Sequence, residues 1–139
     1  MMQKTLSKEI SFKGNALHTG EVVNVKLIPS AENTGIIFVR EDLENAEIPA
    51  LVKYVNRTDR QTILENGEAS VGTVEHLMAS LYALGIDNLR IELDGSEVPI
   101  LDGSAAPLVD LILKAGIEEQ SVEKNFYVLE ETFTFKDED

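Results

Sequence analysis

The sequence predicts an α+β fold, a two-layer sandwich in which two helices cover one face of a mixed, mostly antiparallel sheet. Stretches with the two-residue period of half-buried strands outnumber the helical ones. Only residues 73–84 and 104–115 repeat apolar side chains at three- and four-residue spacings, and both lie in the second half of the chain. No Pro-, Gly- or Ser-rich linker divides the 139 residues. A chain of that length forms one domain, residues 1–139, and buries roughly two-thirds of its unfolded surface.

The first alternation covers residues 5–12, where Leu6, Ile10 and Phe12 oppose Ser7, Glu9 and Ser11 and predict a single strand. Gly14 and Gly20 bracket the next segment, after which Val23, Val25 and Leu27 alternate up to Pro29. A hairpin with a long loop follows from this, with His18 at the loop tip. Residues 30–35 are a turn cluster, residues 36–39 a short apolar strand ending at Arg40, and acidic residues dominate to Glu47. Residues 48–55 predict a strand and residues 61–64 another. Asn66-Gly67 is a two-residue hairpin signal leading into Ala69-Ser70-Val71.

Val74, Leu77, Met78, Leu81 and Leu84 form the apolar stripe of the first helix, and Gly85 supplies the left-handed residue that ends it. At about 100° per residue the opposite side carries His76, Ala79, Ser80 and Ala83, with Glu75 at its edge. That face has no Lys or Arg. Solvated helix faces are normally charged, so this one is expected to be covered. Leu89, Ile91 and Leu93 then alternate with Arg90, Glu92 and Asp94 in a strand whose partners the pattern does not assign. Asp94-Gly95-Ser96 and Asp102-Gly103-Ser104 read as turns around Val98-Pro99-Ile100-Leu101. Leu108, Leu111, Ile112 and Ala115 form the second stripe, with Ser104 as cap, Pro107 in the tolerant first turn and Gly116 at the end. Residues 122–125 read as a link to strand-like pieces at Tyr127-Val128-Leu129 and Phe133-Thr134-Phe135, which stop at Lys136-Asp137-Glu138-Asp139.

A formal charge of −13 opposes nucleic-acid binding, which rests on Lys and Arg neutralising phosphates. The absence of cysteine removes disulfides and thiolate metal sites and fits a reducing compartment, so the cytoplasm is expected. Neither a signal peptide nor a transmembrane segment is expected, because no apolar run follows Lys4 and none reaches about 18 residues.

Glu75 and His76 are adjacent at the start of a helix, where an imidazole can ligate a metal and the neighbouring carboxylate can serve as general base. A hydrolytic zinc site is one reading of the pair. A satisfied surface or half-buried histidine is the other, since the dipeptide is common by chance. Catalytic zinc usually takes three protein ligands, and this chain offers only His18, His76 and carboxylates.

Five motifs in order sharpen the choice: Leu17-His18-Thr19-Gly20, Asn33-Thr34-Gly35-Ile36, Thr73-Val74-Glu75-His76-Leu77, Leu84-Gly85-Ile86-Asp87-Asn88 and Pro99-Ile100-Leu101-Asp102-Gly103-Ser104-Ala105-Ala106-Pro107. Together they resemble the first domain of the UDP-3-O-acyl-N-acetylglucosamine deacetylases, and the resemblance spans essentially the whole chain. It implies a domain like the second domain of ribosomal protein S5 and a cytoplasmic zinc hydrolase that removes an N-acetyl group from an acylated UDP-amino-sugar in the committed step of lipid A synthesis. It also implies that His76 is a zinc ligand, that Glu75 is the general base, and that His18 has a substrate-binding role alongside its plain reading as a loop residue. Asp102 is sufficiently explained as a turn and helix-entry residue ahead of Ser104. The remaining ligands of the Zn2+ ion, the general acid and most substrate contacts are expected from a second domain of similar fold, absent from these 139 residues. On that basis the chain is the first of two domains, inactive alone, and monomeric or weakly self-associating through the uncharged face around Ala79 and Ala83. Arg60-Gln61-Thr62 departs from the family pattern, where apolar or Cys residues often stand. Two alternatives are a non-catalytic α+β binding domain, and the deacetylase part of a fusion with a 3-hydroxyacyl-ACP dehydratase.

Overall fold

In the computed structural model, which describes residues 1–136, the chain runs β1 (Met2–Leu6), β2 (Ile10–Asn15), β3 (Val22–Pro29), β4 (Ile36–Arg40), β5 (Ala46–Pro49), β6 (Val55–Arg57), β7 (Ile63–Asn66), β8 (Ala69–Val71), α1 (Glu75–Leu84), β9 (Leu89–Leu93), α2 (Ala106–Ala115) and β10 (Ile117–Glu123). Five strands form the main sheet in the order β2-β3-β9-β4-β5. At its centre β9 pairs antiparallel with β3, Ile91 opposite Leu27, and parallel with β4, Ile91 opposite Phe38. A second sheet has the order β6-β7-β8, and β1 pairs with β10 in a two-stranded ribbon.

Alternation decides which face is covered. Val23, Val25 and Leu27 of β3 and Leu89, Ile91 and Leu93 of β9 are buried, and with Phe38, Leu77, Leu81, Leu108 and Ile112 they form one core between sheet and helices. On the opposite face the intervening residues are half-exposed and paired, Lys26 with Glu41 at 2.7 Å and Arg90 with both Glu47 and Glu92 at 2.8 Å. The two-layer α+β arrangement is therefore the expected one, and the β2–β3 hairpin, the Asn66–Ala69 hairpin pair and the Gly85 terminus of α1 fall where the sequence places them.

Several segments differ from expectation. The alternation over residues 5–12 is two strands, not one: the chain bends at Ser7 and Lys8, so β1 joins the ribbon while β2 enters the main sheet. Residues 48–55 are not a continuous strand either. β5 ends at Pro49, which has no N–H for a ladder, and a short 3₁₀ turn at Val52–Tyr54 separates it from β6. Ser80 does not lie on the open face of α1, because the start of α2 packs there: Ser80 is 1% exposed, and its hydroxyl donates to the His76 carbonyl at 2.7 Å, with the Ala105 carbonyl at 3.4 Å. Tyr82 takes its place, exposed with Ala79 and Ala83. Helix α2 begins one residue later than a Ser104 cap implies. Ala105 is the N-cap, and the Ser104 hydroxyl accepts from the Ala106 N–H at 3.2 Å.

The last difference is the chain's exit. Residues 117–123, expected in part to be a link, form β10 against β1, whereas Tyr127-Val128-Leu129 and Phe133-Thr134-Phe135 have no ladder partner among the described residues. Their alternation is a strand pattern that joins no edge among the described residues, and Tyr127 and Phe135 are each 92% exposed. The end of the acidic tail, residues 137–139, lies outside the described residues.

Candidate active site

Helix α1 presents its first turn where β8 delivers the chain through Gly72 and Thr73. Thr73 has φ 54°, left-handed backbone that a β-branched residue adopts only when its surroundings hold it there. Its hydroxyl donates to Glu97 Oε1 at 2.7 Å. After Val74, the N-cap, Glu75 and His76 are the first two residues of the helix. Glu75 is exposed, and its Oε1 accepts the backbone N–H of Thr62 from the loop between β6 and β7. It stands at the rim of an apolar cleft of about 270 Å³ lined by Leu51, Val52, Val55, Val74 and Met78.

His76 is half-buried, and its Nδ1 is buried with no hydrogen-bond partner among the described residues. Buried polar atoms are almost always paired. A buried ring nitrogen with no protein partner fits an imidazole whose valence is meant for a metal. That is one ligand, however, and no group of three His, Cys, Asp or Glu side chains able to hold a metal occurs among the described residues. Asp102 is in the turn assigned to it, accepting from the Ser104 N–H at 2.9 Å and hydroxyl at 2.8 Å. Those bonds hold its carboxyl below the usual range, with a smaller contribution from His76 nearby.

Sequence reasoning left His18 without a position relative to His76, and the residue that links their surroundings, Glu97, was not among the candidates. Glu97 is 2% exposed, yet no Lys or Arg among the described residues pairs with it. Its carboxylate accepts the backbone N–H groups of Leu17, His18 and Thr19 at 3.1–3.2 Å, the His18 Nδ1 at 2.9 Å and the Thr73 hydroxyl. Burial pushes this carboxyl upward, but the hydrogen bonds from Thr73 and His18 outweigh it and hold the group below the usual range. One carboxylate thus joins the His18 loop to the residue that launches the Glu75-His76 helix. Gln61 completes the joint. A side chain on Gly72 would meet Gln61 Oε1 at 2.4 Å, so glycine there keeps the space open. The visible signal for Glu97 was slight: an acidic residue between Ser96 and the apolar Val98, just past a repeated turn tripeptide.

The sequence profile of the UDP-3-O-acyl N-acetylglycosamine deacetylase family matches residues 3–139. The chain belongs to this family. Relatives include the UDP-3-O-acyl-N-acetylglucosamine deacetylases of Myxococcus xanthus, 50% identical over 99% of this chain and 44% of that protein, and of Ruthia magnifica, 44% identical over 99% of this chain and 45% of that protein. The bifunctional enzyme LpxC/FabZ of Chlorobaculum tepidum is 48% identical over 96% of this chain and 29% of its own length. The chain therefore spans less than half the length of the deacetylases it matches. No helix among the described residues is long and apolar enough to cross a membrane.

Proposed function

We propose that this chain is the first domain of a zinc-dependent UDP-3-O-acyl-N-acetylglucosamine N-deacetylase, working in the cytoplasm in the committed step of lipid A synthesis. The observation that carries the reading is the Glu75-His76 pair at the start of α1, with its buried and unpartnered imidazole nitrogen, in a chain of this family. His76 would hold the ion. Zinc, when bound, supplies a Lewis acid that polarises the acetamide carbonyl and acidifies water.

The protein's own contribution is proton handling and placement. Glu75 Oε1 is anchored by the Thr62 N–H, which leaves the other carboxylate oxygen to take a proton from water as the water oxygen bonds to the acetyl carbon. The C–N bond then breaks, acetate leaves, and the sugar nitrogen departs as the amine with a proton from a general acid, assigned by the family resemblance to a histidine of the second domain. The uncharged surface of Ala79, Tyr82 and Ala83 on α1 supports a second domain seated against this one. The binding-module alternative gives no account of an unpaired buried imidazole. A fusion with a dehydratase domain is compatible with the same site, as the relative from Chlorobaculum tepidum illustrates.

The test compares this chain with its two-domain parent for zinc content after dialysis and acetate release from the acylated UDP-sugar. The two-domain protein is expected to hold zinc and turn over, and the chain alone to do neither. Stoichiometric zinc and comparable turnover in the chain alone would overturn the half-site reading. In the parent, Glu75→Gln is expected to keep zinc and lose about 10²- to 10⁴-fold in turnover, whereas His76→Ala loses zinc. Full activity in Glu75→Gln would remove the general-base role.

A further inference from the structure

Closing a loop does not require a buried charge. The amides of Leu17, His18 and Thr19 could be satisfied by a neutral carbonyl or hydroxyl without the desolvation that a carboxylate suffers in a site where no Lys or Arg among the described residues pairs with it. Three successive N–H groups converging on one anion, with the Thr73 hydroxyl added at Oε1, form instead a preorganised cradle that keeps Glu97 ionised. An ionised carboxylate only accepts hydrogen bonds. The 2.9 Å contact from His18 Nδ1 therefore requires the ring proton on Nδ1, and the neutral ring then carries its lone pair on Nε2. The His18 side chain is one-third exposed, so the ring is held at one nitrogen while part of it remains open to solvent. Together with Thr19, Gln61, Ser70 and Ser96, both residues line a cleft of about 130 Å³.

We propose that Glu97 is a positioning residue for the deacetylase reaction: it fixes the His18 ring as the Nδ1–H tautomer, so that Nε2 is offered as an acceptor to a hydroxyl or amide N–H of the sugar substrate. The same carboxylate ties that ring through Thr73 to the helix bearing Glu75 and His76, setting the spacing between the substrate-binding ring and the reacting centre. The logic is that of a base oriented by a third group, transferred from catalysis to binding. This inference rests on the deacetylase reading for its substrate, but not for its tautomer.

The experiment is long-range ¹H–¹⁵N correlation of the His18 ring in the 139-residue chain, at a pH of about 8.5, above the ordinary imidazole range. The Nδ1–H tautomer is expected to dominate by roughly tenfold to a hundredfold, the factor carried by a hydrogen bond to a charged group. A dominant Nε2–H form or an even mixture in the wild-type chain would overturn the proposal, and this arm does not depend on any variant folding. Glu97→Gln keeps a weaker, uncharged acceptor at Oε1 and is expected to move the ratio roughly five- to tenfold toward Nε2–H, with backbone amide spectra confirming that β2, β3 and β9 persist. In the two-domain parent the same variant is expected to raise KM about tenfold with zinc content unchanged. An unchanged tautomer ratio defeats the orienting role, and an altered tautomer with unaltered KM defeats the substrate contact. If the wild-type two-domain protein released no acetate, the deacetylase reading alone would fall, because the tautomer is read without substrate.

Discussion

Replacing Glu97 by glutamine removes a charge while keeping size and shape, and the effect on stability follows from the bonds at each oxygen. Oε1 accepts from the Leu17 and His18 N–H groups, His18 Nδ1 and the Thr73 hydroxyl, while Oε2 accepts from the His18 and Thr19 N–H groups. An amide NH₂ in place of Oε2 would point donors at donors, leaving the Thr19 N–H and one branch of the His18 N–H without an acceptor. At about 1–3 kcal/mol for the part-buried Thr19 N–H left unpaired, and about 1 kcal/mol for the weaker, uncharged bonds at the remaining oxygen, Glu97→Gln is expected to cost about 2–4 kcal/mol at neutral pH. With a urea m-value of about 2 kcal/mol/M, the midpoint falls by about 1–2 M. The cost also depends on pH. The folded-state pKa of Glu97 is depressed below its ordinary 4.5, so its stabilisation is fully present above the unfolded value and is lost as pH falls through the folded one. Wild type and variant are expected to converge there, since a protonated carboxyl places a donor where the amide does. Urea denaturation followed by circular dichroism from pH 7 to about 3 measures both features. A difference below about 0.5 kcal/mol at pH 7, the level of a neutral surface substitution, or a difference that stays constant as pH falls, would refute the account of Glu97.

Two further perturbations examine the frame that holds the site. Phe38 is fully buried opposite Ile91 in the parallel pairing of β4 and β9, so Phe38→Ala is expected to cost about 3–5 kcal/mol in thermal or urea unfolding; a loss under 1 kcal/mol would mean the core lies elsewhere. Gly95→Ala would bring a methyl group to 2.7 Å from Cγ2 of Val23, a buried side chain with no freedom to yield, and is expected to cost about 1–3 kcal/mol. Unchanged stability there would show that the turn before Ser96 sits differently against β3.

The two-layer architecture was legible because each of its devices leaves a local trace. The alternation of β3 and β9, the Asn66-Gly67 turn and the stripe and Gly85 terminus of α1 are all written within a few residues. The misread segments share a different cause. Residues 5–12 keep one alternation through a bend that only the choice of partner sheet reveals, and β10 carries the polar run Glu118-Glu119-Gln120-Ser121, so nothing local marks it as a strand. Its place is decided by β1, more than a hundred residues earlier. The candidate site divides in the same way. Glu75 and His76 were visible as neighbours in sequence. The link from His18 to Glu97 and Thr73 joins residues 79 and 24 positions apart, and no pattern in one chain announces such a contact. Ser80 was misplaced because helical periodicity gives the angle of a side chain but not which neighbouring helix packs against it.

The ribbon of β1 and β10 has a mechanical consequence. The strands are antiparallel, with Met2 opposite Glu123 and the Lys124 N–H bonded to the Met1 carbonyl at 2.9 Å, so residues 1 and 124 emerge side by side from one end. A pull between these two points loads the ladder bonds one after another from the open end, like a zipper. Strands whose points of attachment lie at opposite ends would share the same load across every bond at once. The ribbon is therefore the first part of the domain to yield under tension, at low force, while the five-stranded sheet and the Glu97 joint behind it stay assembled until Leu6 has peeled away from Ile117.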